Sequence, residues 1–212
     1  MKTVVNQHIW RRPMRMTARM IGGVFTSTVL AVVTAAAVGA ARPDIGLVFM
    51  SPEQYLARWG RPAPTGPDIA ADAAREIVTK VYGPLHQQTG AGWAIIKWDE
   101  HDLRGVSTPV REGNSALGFA HYAFNHNLTS GAPIHAAFQT HRPDKEFGAH
   151  AEYTSLAVSN NGDVRLTIRV IVQTATSTDD RVYRTSDGKN IGVITAYCEG
   201  MNVCPGWVNS VP

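Results

Sequence analysis

Histidines recur at positions 121, 126, 135, 141 and 150, and imidazole is the side chain whose charge changes nearest neutral pH. This cluster is the chain's clearest candidate for general acid–base chemistry. His121 and His126 lie in a stretch with helical spacing, and five positions of separation place them about 140° apart around a helix axis. That angle predicts that the two rings do not meet one substrate unless another element joins them. Taken singly, His121 reads as a core-facing histidine with one hydrogen-bond partner, and His126 as a helix C-terminal residue favoured by the macrodipole. His150 and Glu152 stand two apart in a strand-like stretch, so they share a face with Thr154 and form either a small acid–base pair or an ordinary surface pair.

His150-Ala151-Glu152 resembles the His-x-Glu half of the zinc-dependent nucleoside deaminases. The other half, Pro-Cys-x-x-Cys, is missing: Cys198 and Cys204 have five residues between them, and Pro205 follows its cysteine. No Gly-rich phosphate loop, Gly-x-Ser-x-Gly elbow, His-Glu-x-x-His helix or calcium loop is present. The sequence therefore implies no cofactor and no metal site. A helix with His121 and His126, followed by strands of which the last carries Thr195 and Tyr197, is similar in layout to small bacterial ribonuclease toxins of the barnase and EndoU type. The likeness covers about the C-terminal half and rests on no specific motif. It implies a general base at His121 or His126, a phosphate held by Arg165 or Arg169, and positioning by Thr195 or Tyr197.

The elements that must carry these residues centre on His150 to Gln173. In its second limb Val164, Leu166, Ile168, Val170 and Val172 fall on one side of a strand, with Arg165, Thr167, Arg169 and Gln173 on the other. Between the limbs, Ser159-Asn160-Asn161-Gly162-Asp163 has the Asn-Gly step of a tight turn, which predicts an antiparallel hairpin. Arg165 and Arg169 then lie on one face about 13 Å apart, able to meet two points of an acidic partner or to pair with acids on neighbouring strands. A second Asp-Gly step in Ser186-Asp187-Gly188-Lys189 predicts another hairpin, between Arg181 to Thr185 and Asn190 to Tyr197.

Ahead of this meander, Asp68 caps a helix striped by Ile69, Ala73, Ile77 and Val81, and Gly83-Pro84 ends it. A second helix is expected from Asn114 to about Leu128, with one or two further turns in Ile134 to Gln139. Ala91 to Trp98 reads as a short strand and the charged run Asp99-Glu100-His101-Asp102 as a solvated turn. Ser51 to Pro67 is dense in proline and glycine, which excludes a regular helix or central strand. Tyr55, Leu56 and Trp59 within it have the spacing of a short docking helix, and Asp44 to Met50 is either a first strand or the membrane-proximal end of an anchor.

Residues 1–19 carry Lys2, Arg11, Arg12, Arg15 and Arg19 with no acidic residue, and residues 20–41 carry no charge. A positive flank before an uncharged stretch of this length predicts a membrane anchor, or a signal peptide cut near Val38-Gly39-Ala40, with the remainder outside the cytoplasm. The chain's formal charge of +3 includes those five cations, so residues 42–212 stand at −2. That balance lacks the basic footprint of a nucleic-acid binder. In an exported chain, Cys198 and Cys204 read as a disulfide.

The expected architecture is α+β: a positively charged segment 1–19, an anchor or signal 20–41, a linker 42–67, and an extracytoplasmic domain 68–212 with an antiparallel sheet of about four strands backed by two helices. The leading function is an envelope binding or assembly module with a protein partner, held to the membrane by its N-terminal segment or released into the periplasm. The alternative is a ribonuclease-toxin-like hydrolase using the histidine cluster, the one case in which nucleic acid becomes a partner. An alkaline-phosphatase fusion after Pro67 should be active and a cytoplasmic reporter at the same point silent; the reverse pattern contradicts the topology.

Overall fold

The computed structural model describes residues 46–64 and 91–212, all within the unit formed by residues 42–212. The N-terminal segment and the expected helix after Asp68 lie outside the described residues. The fold is α+β, with an antiparallel five-stranded sheet ordered β1 (Val48–Met50), β5 (His150–Val158), β6 (Val164–Gln173), β7 (Gly192–Cys198), and β4 (Lys145–Phe147) sharing the β5 edge with β1. The β5–β6 hairpin forms as its alternation requires, pairing His150 with Gln173 and Thr154 with Arg169. Its turn depends on Gly162, whose φ of +87° is open to glycine at little cost.

β5 is buried along its whole length, with helices over one face of the sheet and two smaller clusters over the ends of the other. On one face, Tyr153, Ile168, Val170 and Ala196 pack against Tyr122 of helix α2 (Gly118–His126), Ile134 of α3 (Ala132–Ala137) and Phe138, which caps α3. Phe138 and Tyr153 bring their ring centroids within 4.4 Å. The other face is covered only at its ends. At one end α1 (Pro52–Trp59) sets Tyr55 over Leu156 and Val158. At the other, Trp93, Leu117, Tyr183 and Ile191 close over Ile171. A polar strip of sheet is left between.

Within the proline-rich segment, helix α1 is the short docking helix that the spacing of Tyr55, Leu56 and Trp59 offers. Proline density excludes a helix only when proline is interior; Pro52 instead occupies the first turn, Ser51 and Gln54 make a reciprocal capping box, and left-handed Gly60 stops the helix. The Tyr55 hydroxyl then donates to Gly162 O at 2.9 Å, fastening α1 to the hairpin turn.

Three further expectations are corrected. Ala91–Ala94 is a 3-10 turn, and the strand that follows is β2 (Ile96–His101), paired with β3 (Ser107–Arg111) in a separate two-stranded sheet. The run at 99–102 is thus largely strand, with Glu100 and Asp102 buried. Glu100 accepts from Trp98 Nε1 and His135 Nδ1, and Asp102 from Arg104 and the Val106 amide, so local donors satisfy both carboxylates. Arg181 to Thr185 is not a strand either. Only Ser177 and Arg184 form a bridge there, and β7 pairs with β6.

The segment leading into β7 is pinned by Arg111. Its guanidinium, 1% exposed, donates to the carbonyls of Ala94, Asn190 and Ile191 and to both oxygens of Asp187. Gly192, at φ +88°, lets Pro109 O approach to where a β-carbon would meet it at 1.8 Å. Arg111→Met removes every one of these donors and should cost about 3 kcal/mol in urea unfolding. A loss under about 1 kcal/mol would show that the pin does not hold the loop.

Candidate functional site

In the uncovered strip, Thr154, Arg169 and Tyr197 stand side by side on three adjacent strands, with Glu152 one step along β5 on the same face. Arg169 Nη1 donates to Glu152 Oε1 at 3.0 Å and to Thr154 Oγ1 at 2.8 Å, and Nη2 donates to Glu199 Oε1 at 3.1 Å. Burial alone would lower the Arg169 pKa, but the carboxylates of Glu199 and Glu152 hold it above its ordinary value. Lys145 Nζ also lies 4.0 Å from Glu152 Oε1, so the two acids face two cations. Burial, reinforced by those same acids, pushes the Tyr197 hydroxyl up to about 12, so it is a proton donor at neutral pH.

The two helical histidines meet beside this row. Their ring centroids lie 5.5 Å apart, and the His126 ring lies 6.1 Å from Tyr197. The rings come together with a contact from another element, the condition that their separation on the helix sets. A helical wheel projects Cβ directions, whereas His126 ends α2, is followed by left-handed Asn127, and is drawn across by the Asn202 carbonyl 3.0 Å from its Nδ1. His121 Nδ1 lies 2.7 Å from Ser115 O. A carbonyl can only accept, so both rings spend Nδ1–H on the main chain and keep Nε2 for other work. Asn125 Nδ2 lies 2.9 Å from His121 Nδ1; because Ser115 O can only accept, the amide must turn its oxygen to this atom for both contacts to hold. Burial lowers the His121 pKa, the Ser115 carbonyl opposes this, and nearby His126 adds to it.

The remaining expected residues are distributed differently. Thr195 shares the face of Tyr197, opposite Ile171, with its hydroxyl buried and unpartnered among the described residues. His150 lies at the far end of the same face, stacked on Phe147 and 3.9 Å from Asp179; burial lowers its pKa, with Asp179 opposing. Arg165 is exposed and 3.6 Å from Asp163, outside the row. His135 and His141 turn to Glu100 and Glu53. Cys198 and Cys204 are joined, with Cα atoms 5.4 Å apart.

Glu199 and Asn202 complete the arrangement and were not singled out from the sequence. A signal for Glu199 was present, since Thr195, Tyr197 and Glu199 continue one two-residue alternation. A cleft of about 470 Å³ opens on the opposite side of Arg169, walled by Pro52, Leu56 and Pro64 and floored by Asp144, Lys145 and Thr167. Asp144 keeps an exposed flank, while crowding at the carboxyl raises its pKa against the pull of the Thr154 hydroxyl and Arg169. Among the described residues no group of three or more His, Cys, Asp or Glu is disposed to hold a metal ion, and no helix is long and apolar enough to cross a membrane. Comparison of the chain with protein families, curated proteins and solved structures finds no match.

His121 should titrate below its ordinary 6.5 in an NMR pH series. The unfolded chain then takes up a proton that the folded chain refuses, so stability is lost as pH falls below about 6.5. His121→Gln should flatten that slope; a wild-type His121 titrating above 6.5 contradicts the assignment.

Proposed function

We propose that residues 42–212 work outside the cytoplasmic membrane as a hydrolase of the two-histidine ribonuclease type. The observation that carries the reading is the pair of imidazoles with ring centroids 5.5 Å apart, each with Nδ1 within hydrogen-bond distance of a main-chain carbonyl, and the His126 ring 6.1 Å from that of Tyr197. In this reading His121, kept neutral by burial, takes the proton from a ribose 2′-hydroxyl as its oxygen attacks the neighbouring phosphorus. His126, the more open of the two, enters protonated and returns a proton to the departing 5′-oxygen. The products are a cyclic phosphate and a free 5′-hydroxyl, and the Tyr197 hydroxyl donates to the phosphoryl oxygen. Arg169 is committed to Glu152 and Glu199, so it supports Tyr197 and Glu199 rather than gripping phosphate. With one or few phosphates held, activity should depend only weakly on salt.

A second reading keeps the chain as a non-catalytic module that binds another envelope protein, anchored by the N-terminal segment. What favours it is the proline-walled cleft beside Asp144 and Lys145, together with the −2 charge of residues 42–212. The exported chain should cleave oligoribonucleotides, and His121→Ala and His126→Ala should each lower kcat by about 10²- to 10⁴-fold with little change in melting temperature. No cleavage by the wild type, with an envelope protein still co-purifying from both variants, would replace the enzyme reading with the binding one.

A further inference from the structure

The six-position reach from Cys198 to Cys204 touches both halves of the site. Its first residue, Glu199, accepts from Arg169, and its fourth, Asn202, supplies the carbonyl that fixes His126. The far end closes on the same helix terminus: the Cys204 amide donates to His126 O at 2.9 Å, and Asn127 Nδ2 donates to Cys204 O at 3.0 Å. Both cysteines are buried in the main core, whereas Met201 and Val203 expose 43% and 58% of their surface. Apart from the disulfide, one hydrogen bond closes the loop upon itself, from the Met201 amide to Cys198 O at 3.2 Å.

We propose that the Cys198–Cys204 disulfide is a redox switch that positions His126. With the bond formed, the loop is short enough to hold the Asn202 carbonyl against Nδ1–H and so fix the tautomer and orientation of the ring. With the bond reduced, the loop keeps its main-chain tethers at Cys198 in β7 and at the Cys204 amide but loses the covalent closure between them, so the Asn202 carbonyl is free to leave His126 Nδ1. The rest of the tail stays docked without the bond. Asn209 accepts from the amides of Thr129 and Ser130 and donates to Asn127 O, and Val208 is buried in the core. The change is therefore local. Bond formation removes two thiol protons and two electrons by exchange with an extracytoplasmic disulfide oxidant, which leaves as its dithiol. A chain still in a reducing compartment thus carries its histidines unassembled.

The positioning stands on geometry alone, and its effect on turnover rests on the acid–base reading above. The full chain is followed by ¹⁵N NMR of the imidazole nitrogens, oxidised and after reduction with dithiothreitol, with Cys198→Ala/Cys204→Ala as a second form. His126 should move from a single Nδ1–H tautomer toward a mixture in both reduced and substituted forms. His121, whose carbonyl partner lies at Ser115 outside the loop, should stay unchanged. If the oxidised chain cleaves RNA, kcat should fall at least tenfold on reduction, with KM little altered, and return on reoxidation. An unchanged His126 spectrum overturns the switch, and so does a joint shift of His121 and His126 with general unfolding. Absence of cleavage in the oxidised chain would count against the enzyme reading and leave the NMR test intact.

Discussion

The guanidinium of Arg169 lies in a sheet covered at both ends of its face, where an unpaired cation would cost several kcal/mol. Three strands answer that cost together: β5 with Glu152 and Thr154, β6 with the arginine itself, and the residue just beyond β7 with Glu199. A one-residue slip of any strand would turn its contribution to the opposite face. The polar cluster therefore specifies register, and by placing Glu199 it also fixes where the disulfide loop begins. Through that loop the constraint reaches Asn202, and from Asn202 the ring of His126.

The chemistry depends on what this cluster leaves unspent. Arg169 is paired with Glu152 and Glu199, which in the proposed reaction leaves proton transfer to the imidazoles. Two imidazoles with Nδ1 occupied differ chiefly in solvation, His121 being buried and His126 more open. Difference of environment between like groups is the usual way in which one becomes base and the other acid. The Tyr197 hydroxyl, held protonated by burial and its acidic neighbours, adds a neutral donor beside His126.

What the sequence made legible was local and periodic. The hairpin followed from alternation and the Asn-Gly step, the disulfide from spacing and export, and the helix with its two histidines from apolar spacing, although it begins at Gly118 after Asn114 caps a preceding turn. What it concealed was made by distant partners. β1 and β4 are three residues each and gain their identity only by pairing with β5. Glu100 looked solvated because the donors that allow its burial include His135, far along the chain. The meeting of His121 with His126 needed a carbonyl at residue 202, which no wheel of residues 118–126 contains. Arg169 was correctly placed on the face opposite the apolar stripe, but its acids on two other strands made that face partly internal.

The proposed pairing of His121 as base with His126 as acid at one site is tested by the pH dependence of kcat/KM on an oligoribonucleotide. The profile should be a bell whose acid limb lies below pH 6.5, set by the depressed pKa of His121, and whose alkaline limb is lost in His126→Asn. A profile without an acid limb, or one that keeps both limbs in His121→Ala and His126→Asn, would contradict it.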